Sequence, residues 1–312
     1  MTDSGISLTK GVFNKPHPDA MDMLDERAEV GNLSRNIVIQ GANDAKWESN
    51  GFGAHIMVMD LASTPQFDGV KMVGVAQEGL TERYLTHWHF LCLHGARHDA
   101  GRRQRQFCAQ LQRLGFTQPV LGALRHGGVS LTNNICYDIK GHAIFLEDAV
   151  ERRIKVEGNL VFRVRSPIDS LAVTVHEKAG NMCGASAAYW LTNPDNTVRN
   201  NVAADAQGNG FWLSYPQKPA KQNANVPIRP HNMGHGLFTF NPTHSNGNNG
   251  IMLECATMDN LGDLELLCCM LAADGGPFVY TNGLMPVLNN ISTTKTMVIM
   301  SIVSSNLATC SE

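Results

Sequence analysis

The chain contains 312 residues with a formal net charge of −3, and 43% of its residues are hydrophobic while 17% are charged. This composition is typical of a folded, moderately polar protein and argues against a disordered one. The nearly balanced charge gives no indication of nucleic-acid binding or of attraction to a charged membrane surface.

The sequence also shows no targeting signal of the common kinds. No uncharged apolar run reaches the ~18 residues that a membrane-spanning helix needs, so we expect no transmembrane segment in this chain. The N-terminus, MTDSGISLTKG, lacks the basic start and apolar core of a signal peptide. The 8 cysteines form no C-x-x-C pair and do not decide the compartment, and Cys136 lies in an apolar run typical of a buried free thiol.

Short apolar runs separated by polar corners follow an irregular first segment, residues 1–30. We predict strands within residues 33–41, 54–59, 67–75 and 83–89. From residue 91 to 125 the alternation is lost and arginine and glutamine become frequent. An inserted helical loop is one interpretation of this stretch, since QRQFCAQLQRL places Phe107, Leu111 and Leu114 on one face of a helix.

The stretch from residue 127 to 163 shows the organisation most clearly. Runs of strand length alternate with corners, and Asn134 and Asn159 hold equivalent places before two apolar runs, 159 − 134 = 25 residues apart. This repeat predicts a solenoid of stacked β coils, in which asparagine amides bond to the same group one coil away. A β-sandwich is the alternative, and it is disfavoured because two-residue hairpin turns are missing.

Stacked coils bring together side chains that are distant in sequence, because neighbouring strands lie about 4.8 Å apart. A cluster on one wall can therefore form from the residues His87, His89, His126, His142, Glu147 and Asp148. His87 and His89 share one face of a strand, and with His126 they suit a divalent cation such as calcium or zinc. The alternative is that each histidine makes a core or corner hydrogen bond.

Glycan cleavage gives the carboxylates of this wall a possible role. Hydrolysis normally needs two carboxyl groups across a cleft, and Glu147 and Asp148, being adjacent, point to opposite faces of a regular strand. One of them therefore needs a partner among Asp138, Glu151 and Asp68. Elimination across a uronate, with a cation and a basic residue, is an alternative reaction.

Arginines and aromatic side chains provide candidates for substrate binding. Arg83 suits a uronate carboxylate because a guanidinium meets it with two parallel hydrogen bonds, and Arg152 and Arg153 are weaker candidates. Flat rings can stack on sugars, which makes Trp88, Trp212 and Tyr215 candidates for sugar contacts. Alternate aromatic residues along these runs can instead belong to the core.

Several of these runs resemble one family in sequence and in order. They are the segments at residues 25–37, 53–59, 67–79, 83–90, 137–151 (YDIKGHAIFLEDAVE) and 190–204 (WLTNPDNTVRNNVAA). The family comprises the cell-migration-inducing hyaluronan-binding protein, the cell-surface hyaluronidase once called transmembrane protein 2, and fibrocystin-like proteins. Arg83, Tyr84, His87 and His89 match its Arg-Tyr-Pro-Ile-His-Phe/Trp-His run, although Leu85 and Thr86 replace its Pro and Ile.

The resemblance implies an all-β, right-handed parallel β-helix of the pectate-lyase-like kind that follows a G8 domain. We accordingly expect three parts: residues 1–30 with the end of a G8 domain, 31–262 with the β-helix and an atypical insert at 91–125, and an atypical tail at 263–312. For 91–125 a displaced reading frame is a second interpretation, because a one-base shift of the codons for Arg105 to Gln112 permits Ser-Val-His-Ser-Phe-Asn, similar to the family.

The functional expectation follows from the same resemblance. It implies an extracellular or cell-surface protein that binds or hydrolyses an acidic polysaccharide such as hyaluronan. In that interpretation Glu147, Asp148 and His142 do the chemistry, Arg83, Trp88, Trp212 and Tyr215 bind substrate, and His87, His89 and His126 hold the cation. A non-catalytic adhesion or receptor module and an inactive fragment are the alternatives.

Overall fold

The protein is described from a computed structural model. It describes residues 29–42, 44–45, 47, 51–58, 66–80, 83–88, 106–109, 112–114, 121–123, 129–172, 177, 185–220, 223–233, 236–255, 268–271, 288–289 and 293–294. Within these ranges no helix is long and apolar enough to cross a membrane.

Almost all of the regular structure consists of short strands in three sheets. Sheet 1 contains, in spatial order, β1 (Ile37–Gln40), β4 (Val70–Val73), β7 (Gln112–Leu114), β10 (Ile135–Lys140), β13 (Leu160–Arg165), β16 (Val202–Ala206), β19 (Thr243–His244) and β23 (Thr293–Thr294). Sheet 2 contains β2 (Ile56–Val58), β5 (Thr86–Trp88), β8 (Leu121–Ala123), β11 (Ile144–Leu146), β14 (Tyr189–Leu191), β17 (Phe211–Tyr215), β20 (Ile251–Cys255) and β21 (Cys268–Leu271).

Sheet 3 completes each coil and contains β3 (Gln66–Asp68), β6 (Gln106–Ala109), β9 (Val129–Thr132), β12 (Lys155–Glu157), β15 (Thr197–Arg199), β18 (Leu237–Thr239) and β22 (Leu288–Asn289). From β3 to β20 the chain passes repeatedly through sheets 3, 1 and 2, and each strand pairs in parallel with its equivalent one coil away. Only the pair β20–β21 is antiparallel among the described strand pairs. Two short 3-10 helices, Asp169–Leu171 and Pro230–Asn232, lie in the connections. The predicted parallel β-helix is confirmed, and the β-sandwich is excluded.

The inside of the coil is filled by the inward-facing side chains of all three sheets. Leu131, Val156, Val198 and Phe238 follow one another in register along sheet 3, and each is at most 2% exposed. Cys136 of sheet 1 is also fully buried and is a free thiol, as its apolar run predicts. Removal of such apolar surface from water is the main stabilising contribution to a coil of this kind.

A column of buried asparagines marks the corner between sheets 3 and 1. Asn134, Asn159, Asn201 and Asn241 follow one another, and their side-chain amides donate to the next Oδ1 at 2.7, 2.8 and 3.0 Å. Each acceptor oxygen also accepts a hydrogen bond from the backbone N–H of the preceding asparagine, at 2.9 to 3.1 Å. The equivalence of Asn134 and Asn159 is thus confirmed, because the column satisfies buried backbone groups that a sharp corner leaves without strand partners.

The residue before each of these asparagines turns the chain in the left-handed backbone region. Asn133, Gly158, Asn200 and Phe240 have φ of 55°, 67°, 55° and 52°. A Cβ at Gly158 would lie 2.5 Å from Oδ1 of Asn133, so glycine is required there for space as well as for its φ. The same local geometry recurs in every one of these coils, which keeps them in register.

The interpretation of the 91–125 stretch as a helical loop is wrong for its second half. The backbone of residues 106–109 and 112–114 forms β6 and β7, and residues 121–123 form β8. These strands pair in parallel with coils on both sides, so that the ladder hydrogen bonds of their neighbours override the helical pattern of the sequence. Residues 91–105 lie outside the described part of the chain.

We predict that Asn159→Ala destabilises the coil by roughly 3 kcal/mol, because it leaves several buried donors and acceptors without partners. Urea unfolding monitored by circular dichroism measures this change. Asn225→Ala is the matched control, since Asn225 is exposed and lies outside the column. Equal stabilities of the two variants would contradict a supporting role for the column.

Candidate functional site

The candidate site lies on the outer face of sheet 2. Along β11 the side chains of Ile144 and Leu146 enter the main core, so Phe145 between them points outward. The register aligns Phe145 with Gly122 and His87 on one side. On the other side it aligns Phe145 with a column formed by Trp190, Trp212 and Met252.

These outward side chains form a second hydrophobic cluster, separate from the main core. Its members are Tyr84, Phe145, Ala187, Trp190, Trp212 and Met252, none of them more than 6% exposed. The indoles of Trp190 and Trp212 meet edge to face with centroids 4.7 Å apart. Aromatic pairs of this geometry stabilise a structure beyond the burial of their area. Sheet 2 is therefore buried on both faces at these positions.

Tyr84 joins this cluster to a carboxylate two coils away. Its ring contacts His87 and Phe145 edge to face, with centroids 5.1 and 5.8 Å apart. Its hydroxyl donates to Oε2 of Glu147 at 2.9 Å. The intervening register position belongs to Gly122, which has no side chain to separate the rings. Glu147 is only partly buried, so this bond connects the buried cluster to a group that solvent reaches.

Glu147 belongs to a tight turn that follows β11. Oε1 of Glu151 accepts the backbone N–H groups of Glu147 at 3.2 Å and of Asp148 at 2.9 Å. Ala149, inside the turn, has a φ of 68°. Burial raises the pKa of Glu151 to about 8, an effect that the charges of Asp148 and Glu147 reinforce and the backbone N–H groups of Asp148 and of Glu151 itself reduce. Glu151 is therefore mostly protonated at neutral pH.

Connecting segments cover the outer face of sheet 2. Asn223, in the connection between β17 and β18, donates its side-chain amide to Oδ2 of Asp148 at 2.7 Å. The backbone N–H of Ala220 donates to the carbonyl oxygen of Asp148 at 3.3 Å. Both Asp148 and Asn223 are fully buried. Asp148 thus binds the covering connection to the turn.

His142 lies inside the aromatic cluster. Its ring stacks on Phe145, with an interplanar angle of 2°, and lies 4.8 Å from the ring of Trp190. Its Nδ1 accepts the backbone N–H of Ala187 at 3.0 Å, and its own backbone N–H donates to Oε1 of Glu177 at 3.3 Å. An Nδ1 atom that accepts cannot carry the proton, so a neutral His142 holds its hydrogen on Nε2.

Arg83 is exposed and lies beside the preceding coil. Its Nη1 donates to Nε2 of His55 at 2.8 Å. Partial burial, followed by the charge of Arg83, lowers the pKa of His55, so its ring is neutral and accepts this bond. The guanidinium keeps further N–H donors for an anion. By contrast, Arg152 binds Oδ2 of Asp195 through two nitrogens at 2.8 and 2.9 Å.

The structure brings some of the predicted site residues together and separates others. Tyr84 links His87 to Glu147, and Asp148 lies in the same turn, whereas His142 lies deeper in the cluster. Of the three possible partner carboxylates, Glu151 lies beside Glu147 and Asp148. Asp138 is in sheet 1 and paired with Arg163 at 3.1 Å, and Asp68 ends β3 in sheet 3.

Two of the three predicted sugar-binding aromatics occupy closed positions. Trp212 is fully buried in the outer cluster, and Tyr215 is 7% exposed and belongs to the main core. The backbone of Trp88 is in register with Val58. A sugar contact for these three residues stays a prediction.

The predicted cation site is described only in part. His87 is fully buried, while His89 and His126 lie outside the described residues. Within the described residues, no group of three histidine, cysteine, aspartate or glutamate side chains has an arrangement that could hold a metal ion. We therefore derive no chemical step through a metal.

Two buried polar residues of this region were not predicted from the sequence. Glu177 and Asn223 lie in irregular connections, where no periodicity marks them. Glu177 accepts the backbone N–H of His142, and Asn223 donates to Asp148, so both contact the outer face of sheet 2. The only available signal was a polar residue in a long connection, which is too common to identify a site.

Comparison with known proteins agrees with this architecture. A model of the CEMIP beta-helix family matches residues 51–251, which is more than half of the chain. The chain belongs to the CEMIP beta-helix family. The matched range contains every residue of the outer cluster of sheet 2 except Met252.

Individual relatives are similar to this member over most of its length. Human "Cell surface hyaluronidase CEMIP2" is 29% identical over 262 residues, covering 76% of this chain and 19% of the relative. Mouse fibrocystin-L is 28% identical over 288 residues, covering 78% of this chain and 6% of the relative. A G8 domain-containing protein of Dictyostelium discoideum is 26% identical over 236 residues, covering 71% of this chain and 16% of the relative. The chain thus spans a fifth or less of the length of these relatives. The family resemblance recognised in the sequence is confirmed.

We predict that Tyr84→Phe lowers the free energy of unfolding by about 1–2 kcal/mol, because a partly buried bond to a carboxylate is lost. Tyr137→Phe is the matched control: the Tyr137 hydroxyl accepts a bond from the exposed Arg163 at 2.9 Å, and we expect a change near zero. Denaturant titration of both variants measures the difference. A Tyr84→Phe variant as stable as the control would show that the bond to Glu147 contributes nothing.

Proposed function

We propose that this chain is the β-helix part of an extracellular or cell-surface protein that binds and cleaves an acidic polysaccharide such as hyaluronan. The relative named a cell surface hyaluronidase supports the substrate class and the location. The observation that carries the proposal is the hydrogen bond between Tyr84 and Glu147, which orients a partly exposed carboxylate on the outer wall of sheet 2.

In this proposal Glu147 exchanges a proton with the glycosidic oxygen or with the attacking water. General acid–base catalysis needs a group that solvent and substrate can reach, and Glu147 meets this need better than the buried Asp148 or His142. Tyr84 fixes one oxygen of the carboxylate and so orients the whole group. Arg83, exposed near the start of β5, binds the sugar carboxylate.

A divalent cation remains part of the proposal without an assigned set of ligands. The described residues offer no group of three suitable side chains, and His89 and His126 lie outside them. A chelator arm in the cleavage experiment therefore tests the cation independently of the acid–base group.

A binding module without catalysis is the second candidate, and a specific observation favours it. His142, Asp148 and Trp212 are all fully buried, so most of the predicted catalytic wall has no contact with solvent. Such a module would retain polysaccharide through exposed groups such as Arg83 and would leave its chain length unchanged.

We predict that Glu147→Gln lowers the rate of hyaluronan depolymerisation by roughly 10²- to 10⁴-fold, the usual contribution of a general acid or base. The measurement is the loss of chain length of high-molecular-weight hyaluronan, with calcium, with zinc and with chelator. Glu157→Gln is the matched control, because Glu157 is also partly buried but pairs with Arg199 on sheet 3.

Three outcomes separate the candidates. Cleavage that Glu147→Gln abolishes and Glu157→Gln retains supports the proposed enzyme. Retention of hyaluronan without cleavage replaces it with the binding module. Equal cleavage by both variants would remove Glu147 from the mechanism.

A further inference from the structure

Glu151 is a fully buried carboxyl group at the base of the turn that carries Glu147. One of its oxygens, Oε1, accepts the N–H groups of both Glu147 and Asp148, so a single side chain fixes two successive peptide units. We propose that Glu151 is a positioning residue that clamps this turn and thereby directs the Glu147 side chain to Tyr84. This inference rests on the proposed function of Glu147 and adds a residue to it.

The clamp is itself anchored to the next coil. The backbone oxygen of Glu151 accepts the side-chain amide of Asn196 at 2.9 Å, and Oδ1 of Asn196 accepts the N–H of Ile154 at 2.9 Å. At the other end of the turn, Oγ1 of Thr192 accepts the N–H of Ala149 at 3.0 Å and donates to the carbonyl oxygen of Leu146 at 2.9 Å. The turn is therefore held from below by the following coil and from within by Glu151.

The surroundings of the second oxygen of Glu151 indicate that its carboxyl group is protonated. Oε2 is buried and has no hydrogen-bond partner in the described part of the protein. An ionised carboxylate in such a place would be unfavourable, and the titratable groups that face it, Asp148 and Glu147, are themselves acidic. The neutral acid keeps the Oε1 clamp without adding a charge beside Glu147.

The protonation state links the clamp to pH. Because burial raises the pKa of Glu151 from 4.5 to about 8, the folded protein keeps a proton in this interval that the unfolded chain releases. The contribution of Glu151 to stability is therefore fully present below a pH of about 4.5 and is lost as the pH rises towards about 8. Above that value an ionised Glu151 adds a further negative charge beside Glu147 and Asp148 and weakens the turn.

The test compares Glu151→Gln with Glu151→Ala in the whole chain. Glutamine keeps an acceptor oxygen at the same reach and cannot ionise, whereas alanine removes the clamp. We expect Glu151→Gln to retain cleavage within about 3-fold of wild type and to lack the decline of activity above a pH of about 8. We expect Glu151→Ala to lower kcat at least about 10-fold with little change of KM, because substrate contacts remain.

The NMR signal of Tyr84 tests the role of Glu151 independently of any cleavage activity. The chain has 5 tyrosines, so ring resonances of ¹³C-labelled tyrosine can be assigned, with Tyr84→Phe identifying Tyr84. We expect Glu151→Ala to shift the Tyr84 resonance as Glu147→Gln does, and Glu151→Gln to leave it in place. Between pH about 5 and 8, the melting temperature of Glu151→Gln should fall less than that of wild type.

The outcomes distinguish this inference from the proposed function. An unshifted Tyr84 resonance in Glu151→Ala, or a Glu151→Gln variant that behaves like Glu151→Ala, overturns the clamp. If Glu151→Ala does not fold, Glu151→Asp replaces it, since its shorter side chain cannot reach both N–H groups and should also shift Tyr84. Absence of cleavage by wild type together with the expected tyrosine shifts overturns the proposed function and supports the clamp.

Discussion

The register between successive coils is the constraint on which the rest of this structure depends. Parallel pairing along the sheets fixes each residue beside its equivalent one coil away, and the asparagine column locks that alignment at one corner through bonds of 2.7 to 3.0 Å between Asn134, Asn159, Asn201 and Asn241. A slip by one residue would exchange inward and outward side chains along the whole strand. The corner therefore determines, at a distance, which side chains reach the outer face of sheet 2.

Burial of sheet 2 on both faces explains why the candidate site is small. The outward column of Phe145, Trp190 and Trp212 packs as a second core, and the connection that carries Asn223 lies over the adjoining turn. Apolar rings stacked in register would form a large exposed patch if this face were open to solvent. Glu147 lies where the column ends, and the hydroxyl of Tyr84 reaches it from within the cluster. The candidate site is thus the edge of a packed region, and the packing of that region orients it.

Much of the fold could be predicted from the sequence because the solenoid is local and periodic. Between residues 127 and 163, where runs of strand length alternate with corners, the chain forms β9 to β13, and the Asn134–Asn159 spacing correctly predicted one coil. The single predicted strand at 67–75 is instead two strands, β3 and β4, since Gly69 turns the chain at a φ of 64°. Residues 106–114 were predicted less well because the helical spacing of their apolar residues hides two strands that neighbouring coils impose by pairing. The site was predicted only in part, since Glu177 and Asn223 enter from irregular connections that no period identifies.

The turn after β11 shows how one short sequence can assign different environments to three acidic residues. In Phe-Leu-Glu-Asp-Ala-Val-Glu, the left-handed φ of Ala149 reverses the chain so that Glu151 folds back under the N–H groups of Glu147 and Asp148. Asp148 is then directed to the covering connection, Glu151 to the interior, and Glu147 to the edge. Three ionised carboxylates at this spacing would repel one another, and the raised pKa of Glu151 relieves that repulsion. The protein can therefore keep a partly exposed carboxylate beside an apolar cluster because its neighbour at the base of the turn stays neutral.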